Sequence, residues 1–263
     1  MPENAEILVL NKSREAIGDS VLDNSIHPDD DMFCGSLEHY ESCGKQFADF
    51  VVHASRLADS PTRRILELPC GYGRVTRHLV QRFSPSDIVV ADAMPRAVNF
   101  CMEQFGVSGI EVTEPLEEFR SVPEEAFQVA AMGSLITHLD EDSSRSVIKN
   151  FLGKLSRGGV AVITTHGKRA REILFSDLGW FELLQEDRER LKRASIQGQY
   201  GYAKYAPNHT FERRTVESVG DDYGISLIPH EWIVDVVSGL GFAVIDYAEG
   251  GWDNHQDVYF VGY

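Results

Sequence analysis

The sequence predicts an α/β fold built on a doubly wound, largely parallel sheet, and three observations predict it. Short apolar runs alternate with amphipathic stretches from residue 64 to residue 166. The first apolar run ends in a glycine turn, Gly71-Tyr72-Gly73, that leads into a helical pattern. The second ends in a carboxylate, Asp92, 21 positions after Gly71.

Each element has its own signal. From Ser36 to Ala58, apolar residues recur at 37, 40, 47, 51, 54 and 58, which is helical spacing with Ser36 as N-cap; Ser60-Pro61 ends it. Arg64 to Leu68 reads as a buried strand, and Arg74 to Phe83 as a helix with Val75, Leu79 and Phe83 on one face. Asp87 to Ala91 is a second strand. Pro95 opens the next helix and Gly106 closes it. Ile110 to Val112 and Phe127 to Ala131 are the third and fourth strands. Asp140 to Arg157 reads as a helix capped by Gly158-Gly159, and Val160 to Thr164 as the fifth strand. Pro229 opens a helix that Gly241 ends. Phe242 to Tyr247 and Val258 to Tyr263 are two further strands, with Glu249-Gly250-Gly251 in their connection.

The rhythm breaks after His166, where a long charged helix precedes a Tyr-rich, turn-rich stretch from Gly198 to Asn208. The expected division is therefore fourfold. Residues 1–60 form a tail and a covering helix, the tail polar enough to be partly disordered. Residues 61–166 form a ligand-binding core, 167–227 a cap, and 228–263 a helix and strand hairpin that complete the core.

Composition narrows the partners. A formal net charge of −16 repels phosphate backbones, so nucleic acid is not the expected partner. The densest basic stretch, Arg188 to Arg193, is interrupted by Glu189 and reads as a solvated helix face. No apolar run approaches the ~20 residues that span a bilayer, and the start of the chain does not read as a secretory signal. Cys34, Cys43, Cys70 and Cys101 form no C-x-x-C pair, so neither a zinc site nor a disulfide framework is expected, and a reducing cytoplasm is.

The chemistry lies in the turn Glu67-Leu-Pro-Cys-Gly71-Tyr-Gly73. Gly-x-Gly at a strand-to-helix turn lets backbone approach a ligand. Thr76 stands where a dinucleotide fingerprint places its third glycine, and Glu67 would repel a pyrophosphate. A ligand with an ammonium and no phosphate fits better, and S-adenosylmethionine is such a ligand. Asp92 can accept two hydrogen bonds from ribose hydroxyls, in NAD and S-adenosylmethionine alike; its plainer role is to cap the helix at Pro95. Glu114 follows the third strand, where it could lie near an adenine.

Ile65-Leu-Glu-Leu-Pro-Cys-Gly-Tyr-Gly-Arg-Val-Thr76 and Val90-Ala-Asp92 resemble the first two motifs of the class I, Rossmann-like S-adenosylmethionine-dependent methyltransferases. Pro69 departs from that pattern, which has a glycine there. Gly133 to Leu139, Gly158 to Gly167, Tyr223-Gly-Ile-Ser and Gln256-Asp-Val-Tyr resemble a bacterial subgroup of mostly unassigned substrate. The resemblance implies a seven-stranded sheet whose last strand is antiparallel, which agrees with the terminal hairpin. It implies S-adenosylmethionine as cofactor, held by Glu67, Pro69, Cys70, Gly71, Gly73, Asp92, Ala93, Met94, Glu114, Gly133 and Ser134.

Methyl transfer to a hydroxyl needs a base, and histidine is the commonest. His138 follows the fourth strand and His166 the fifth, so either is a candidate; each is also placed to cap a helix or bond a loop carbonyl. Asp140 or Asp257 are carboxylate alternatives. Tyr40, Tyr200, Tyr202, Tyr205 and Trp252 offer flat faces with polar edges that suit a sugar or small aromatic acceptor, and ordinary packing would use them equally well. His255 and Gln256 could orient that acceptor. The expected function is methyl transfer to oxygen of a small or saccharide-like molecule. An NAD-dependent oxidoreductase and a cofactor-binding partner protein without catalysis stand as the alternatives.

Overall fold

The computed structural model describes residues 23–115, 118–176, 183–205 and 223–263. A seven-stranded sheet runs through the molecule in the order β3-β2-β1-β4-β5-β9-β8. Its strands are β1 (Ile65–Glu67), β2 (Ile88–Asp92), β3 (Ser108–Glu111), β4 (Phe127–Met132), β5 (Leu155–Thr165), β8 (Ala243–Trp252) and β9 (Gln256–Gly262). β1 pairs in parallel with β2 and β4, so Glu67 sits level with Val90 and Ala131. β9 alone runs against its neighbours, antiparallel to both β5 and β8.

Alternation along β1 explains the two-sided core. Ile65 faces a layer that holds Phe47, Ala48 and Val51 of α1 (Leu37–Leu57) and Val98 and Phe105 of α3 (Pro95–Phe105). Leu66 faces the opposite layer, with Val147 and Phe151 of α4 (Glu141–Leu152) and Ile233 and Val237 of α7 (His230–Gly239). A strand buried on both faces must be apolar throughout, which is why β2 reads Ile-Val-Val-Ala before its terminal Asp92. Ser36 caps α1 by accepting from the His39 amide.

Between β5 and α7 lies a smaller unit with its own core of Ala170, Leu174, Leu183, Leu191, Ala203, Ile225 and Leu227. Among the described residues it comprises α5 (Lys168–Ser176), α6 (Gln185–Ile196) and the antiparallel pair β6 (Gly201–Lys204) and β7 (Gly224–Leu227).

Several boundaries differ from the periodicity. The helix expected over 74–83 is regular only at Thr76–Leu79, here α2, because its flanks tighten into three-residue turns such as Gln81 N–H to His78 C=O. The helix expected to reach Arg157 ends at Leu152, and Leu155 already belongs to β5. The Lys154 carbonyl accepts from the Ala126 and Phe127 amides, and Ser156 Oγ donates to the Phe127 carbonyl, so sheet pairing claims this segment. Gly158 is not a helix cap; it lies within β5 at φ +73°, and a Cβ there would sit 2.1 Å from the Asp59 carbonyl oxygen. The third strand starts two residues earlier than expected, at Ser108. Glu249-Gly250-Gly251 lies within β8, and the turn to β9 is made by residues 253–255, with Asp253 and Asn254 left-handed. Of the polar tail, residues 1–22 lie outside the described residues, whereas Asp23 and Ser25 offer their carbonyls to the buried Arg77 guanidinium.

Candidate functional site

The carboxyl ends of β1, β2, β4 and β5 lie at one end of the sheet, and Glu67, Gly71, Asp92, Gly133 and His166 lie at or just beyond them. Glu67 is 3% exposed, and its Oε2 accepts a 2.7 Å hydrogen bond from Thr76 Oγ1. Burial pushes its carboxyl up to about 8; the Thr76 bond pulls the other way. The loop then turns through Pro69, after a cis peptide, and Cys70, whose amide donates to the Ala91 carbonyl. The two glycines do different work. Gly73, at φ +77°, lies against the Phe105 ring and Cys101, where a Cβ would collide. Gly71, at φ +49°, has nothing within 4 Å of where its Cβ would be. It faces open space at the end of the sheet, as a backbone that admits a ligand must.

Asp92 is a fastener between two loops. Its Oδ2 accepts from the Gly71 amide at 2.8 Å and its Oδ1 from the Met94 amide at 3.0 Å. Burial raises its pKa, against the pull of the Met94, Gly71, Ala93 and Cys70 amides. Glu114 is tied into its own loop, where Oε1 accepts from Ser121 N–H and Oγ–H.

A second cluster closes the ends of β4, β5 and β9. Ser134, left-handed at φ +57°, donates its amide to Thr164 Oγ1 at 2.8 Å. Thr164 donates to Gln256 Oε1 at 2.7 Å, and Gln256 Nε2 donates to Ser134 Oγ at 3.1 Å. Gly133 keeps β4 close to Phe47 and Trp252, whose side chains a Cβ would press at 3.1–3.2 Å. Beside this ring stand three histidines, with His166 centred 6.1 Å from His138 and 5.7 Å from His255. His138 lies in the tight turn Ile136–His138 and stacks on Tyr223 at 4.6 Å. Its Nδ1 is 2.9 Å from the Gly224 carbonyl and 2.8 Å from Tyr205 Oη. The tautomer decides whether Nδ1 donates to the Gly224 carbonyl or accepts from the Tyr205 hydroxyl. His166 is 1% exposed, and burial holds its pKa well below the usual value, with His255 and His138 adding to the effect.

The remaining predicted residues are spread more widely. Tyr40 is buried with its hydroxyl 2.5 Å from Asp30 and its ring under the Arg77 guanidinium. Trp252 is buried, and its indole N–H donates to the Cys43 carbonyl. Tyr202 is half-buried on β6, and Tyr200 donates to the Leu139 carbonyl at 2.9 Å. Asp140 caps α4 through the Ser143 amide, and Asp257 accepts from Tyr247 Oη and the Gly250 amide.

Sequence reasoning assigned no site role to Arg77, nor to Thr164, Tyr223 and Gly224, which it quoted only within a strand or motifs of resemblance. Arg77, 1% exposed, donates to the carbonyls of Gly73, Asp23 and Ser25, and so binds the N-terminal segment to the glycine loop. An arginine on the inward side of a short helix was the available signal. His27 reinforces the join by stacking on Tyr72 at 4.2 Å.

Comparison with known proteins agrees with this fold. Residues 65–159 match the family model described as a methyltransferase domain. A malonyl-[acyl-carrier protein] O-methyltransferase of Bacillus cereus is 26% identical over 172 residues, which are 64% of this chain and 61% of that protein. The chain thus spans about three fifths of the length of that relative. Among solved structures, a 1,6-didemethyltoxoflavin-N1-methyltransferase of Burkholderia thailandensis superposes with a TM-score of 0.53 at 14% identity, over 84% of this chain and 78% of that one. An S-adenosylmethionine-dependent methyltransferase of Clostridium acetobutylicum gives 0.54 at 14% identity, over 83% and 91%.

Proposed function

From the premise that this chain belongs, through its methyltransferase domain, to the Rossmann-like S-adenosylmethionine-dependent methyltransferases, we propose that it methylates an oxygen of a small or saccharide-like acceptor. The observation that carries the cofactor side is Glu67 beside Gly71. Burial keeps this carboxyl protonated up to about 8, so a cation placed beside it would favour loss of the proton and restore the charge, and the open space at Gly71 gives that partner room. When bound, S-adenosylmethionine supplies a methyl group activated by a sulfonium. Glu67 would hold the ammonium end. Asp92 would keep the Gly71 and Met94 loops in register while its remaining lone pairs meet the ribose. Pro69, Cys70, Gly73, Ala93, Met94, Gly133 and Ser134 would line the same groove, with Glu114 at its adenine end.

His138 supports an oxygen acceptor. Its ring, within reach of the Gly224 carbonyl and the Tyr205 hydroxyl, would take a hydroxyl proton in its neutral state. His166, kept neutral by burial, would accept or donate one hydrogen bond to the same acceptor without bringing a competing charge. His255, Gln256, Tyr202 and Tyr205 would orient it, with Tyr40 and Trp252 shaping the wall behind. Residues 1–60 and 167–227 would cover the groove and exclude water, so that proximity supplies much of the rate. The relative from Bacillus cereus carries the O-methyltransferase name, which favours oxygen. The acidic surface disfavours nucleic acid, and four free cysteines suit a reducing cytoplasm. Among the described residues, no helix is long and apolar enough to cross a membrane.

The test has two parts. S-adenosylhomocysteine is titrated calorimetrically into the wild type and Glu67→Gln. Release of S-adenosylhomocysteine from S-adenosylmethionine is then followed with matched panels of hydroxyl and amine acceptors. Binding weakened about tenfold by Glu67→Gln, with turnover on hydroxyl acceptors, is expected. Turnover confined to amines would remove oxygen as the target, and absence of binding would remove the cofactor reading.

A further inference from the structure

The turn between β8 and β9 meets the start of α1 at a cluster that the methyl-transfer site does not use. His39 and Cys43 lie one helical turn apart on α1, so their side chains share a face. Asp253, in the left-handed turn after Trp252, faces them. His39 Nε2 is 3.5 Å from Cys43 Sγ and 3.5 Å from Asp253 Oδ2. One ligand atom from each of the three residues falls within 4.8 Å of the other two.

Two of those spacings match edges of a metal tetrahedron, and rotation of the exposed His39 ring, whose Nδ1 lies 4.0 Å from Cys43 Sγ, would turn a ring lone pair toward the point the three share. Zinc binds imidazole nitrogen and carboxylate oxygen at about 2.0–2.1 Å and thiolate sulfur at about 2.3 Å, which puts nitrogen about 3.6 Å from sulfur and about 3.4 Å from oxygen. Imidazole, thiolate and carboxylate are also the donor types that zinc accepts together. The framework is held in place by bonds of its own. Trp252 Nε1 donates to the Cys43 carbonyl at 2.9 Å, and the Asp253 amide donates to Gln46 Oε1 at 3.1 Å. Cys43 is buried, Asp253 half-buried and His39 exposed, so an ion can enter from solvent on the His39 side.

We propose that His39, Cys43 and Asp253 bind one zinc ion, with water as the fourth ligand. The Zn–S bond forms as the Cys43 thiol loses its proton to solvent; nothing is oxidised or reduced. The spacing of the cysteines hid this site, because the third ligand comes from the far end of the chain. The ion fastens α1 to the turn that carries His255 and Gln256, and so acts as a structural clamp on one wall of the reaction groove.

The full chain, stripped of metal by a chelator, is titrated with Zn2+ by calorimetry and with Co2+ by absorption. One equivalent of zinc should bind with a Kd of about 1 µM or tighter. The cobalt form should show a thiolate-to-metal charge-transfer band that Cys43→Ser abolishes. His39→Ala should weaken zinc at least about tenfold; its exposed position leaves the core intact, which matching thermal midpoints of the stripped proteins would verify. A thiol donating to the carboxylate, beside an imidazole–carboxylate pair, would explain the same geometry without metal. No saturable binding at one equivalent, affinity unchanged by His39→Ala, or a cobalt form without the charge-transfer band would each overturn the zinc site.

Discussion

Asp92 holds the amide of Gly71 at 2.8 Å, across the gap between the first and second strand ends. The carboxylate read from the sequence as a ribose ligand is therefore also the clasp of the loop it would serve. Asp92→Ala leaves the Gly71 and Met94 amides without an acceptor. Stability should fall on the order of 3 kcal/mol, together with S-adenosylhomocysteine affinity. Urea denaturation measures the first. An unchanged midpoint would mean that the loops hold without the clasp.

Glu67 gives a pH signature. Its carboxyl, usually near 4.5, is raised by burial to about 8. Between those values the folded protein keeps a proton that the unfolded chain has lost, so this group makes stability fall as pH rises through that window. Glu67→Gln removes the effect. The thermal midpoint of the variant minus that of the wild type should grow from pH 5 to pH 8.5, and parallel curves would sink the idea.

Arg77 should govern the order of the segment in front of α1. Its guanidinium serves four backbone carbonyls, those of Gly73, Asp23, Ser25 and Tyr72, and lies against the Tyr40 and Phe105 rings. Arg77→Met keeps much of the volume and removes the donors. Hydrogen exchange at residues 23–30 should quicken at least about tenfold, with stability lowered by roughly 3–5 kcal/mol as for other broken buried charge networks. Unaltered exchange at those residues would show that His27 on Tyr72 suffices to anchor them.

His138→Gln should separate binding from turnover. With the base lost, kcat on a hydroxyl acceptor should drop by about 10²–10⁴ while S-adenosylhomocysteine affinity changes little. A comparable loss in His166→Gln with His138→Gln active would transfer the role to His166.

The glycine loop was legible because its chemistry is local. Glu67, Gly71, Gly73 and Asp92 belong to one strand–turn–helix–strand unit, and the spacing within that unit is a matter of backbone geometry. The antiparallel last strand was legible for a similar reason, as two β-rich runs follow α7. The environment of His138 was not, since the carbonyl beside its Nδ1 belongs to Gly224, 86 positions away. Residues 155–157 continue the helical periodicity of α4 well enough to mislead, and only pairing with Phe127 reveals a strand. Trp252 and Tyr40 carry the same ambiguity. An aromatic side chain announces burial or binding equally, and the Cys43 carbonyl and the Asp30 carboxylate that engage these two are far off or unpatterned in sequence.

The insertion of β9 between β5 and β8 bears on biosynthesis. Gln256–Gly262 leaves the ribosome after both strands that it separates. Until then the nascent chain has two exposed strand edges facing one another across a missing neighbour, each able to recruit a foreign strand. Synthesis of β9 thus both completes the sheet and covers these two edges, so ribosome stalling just upstream of residue 256 would prolong their exposure.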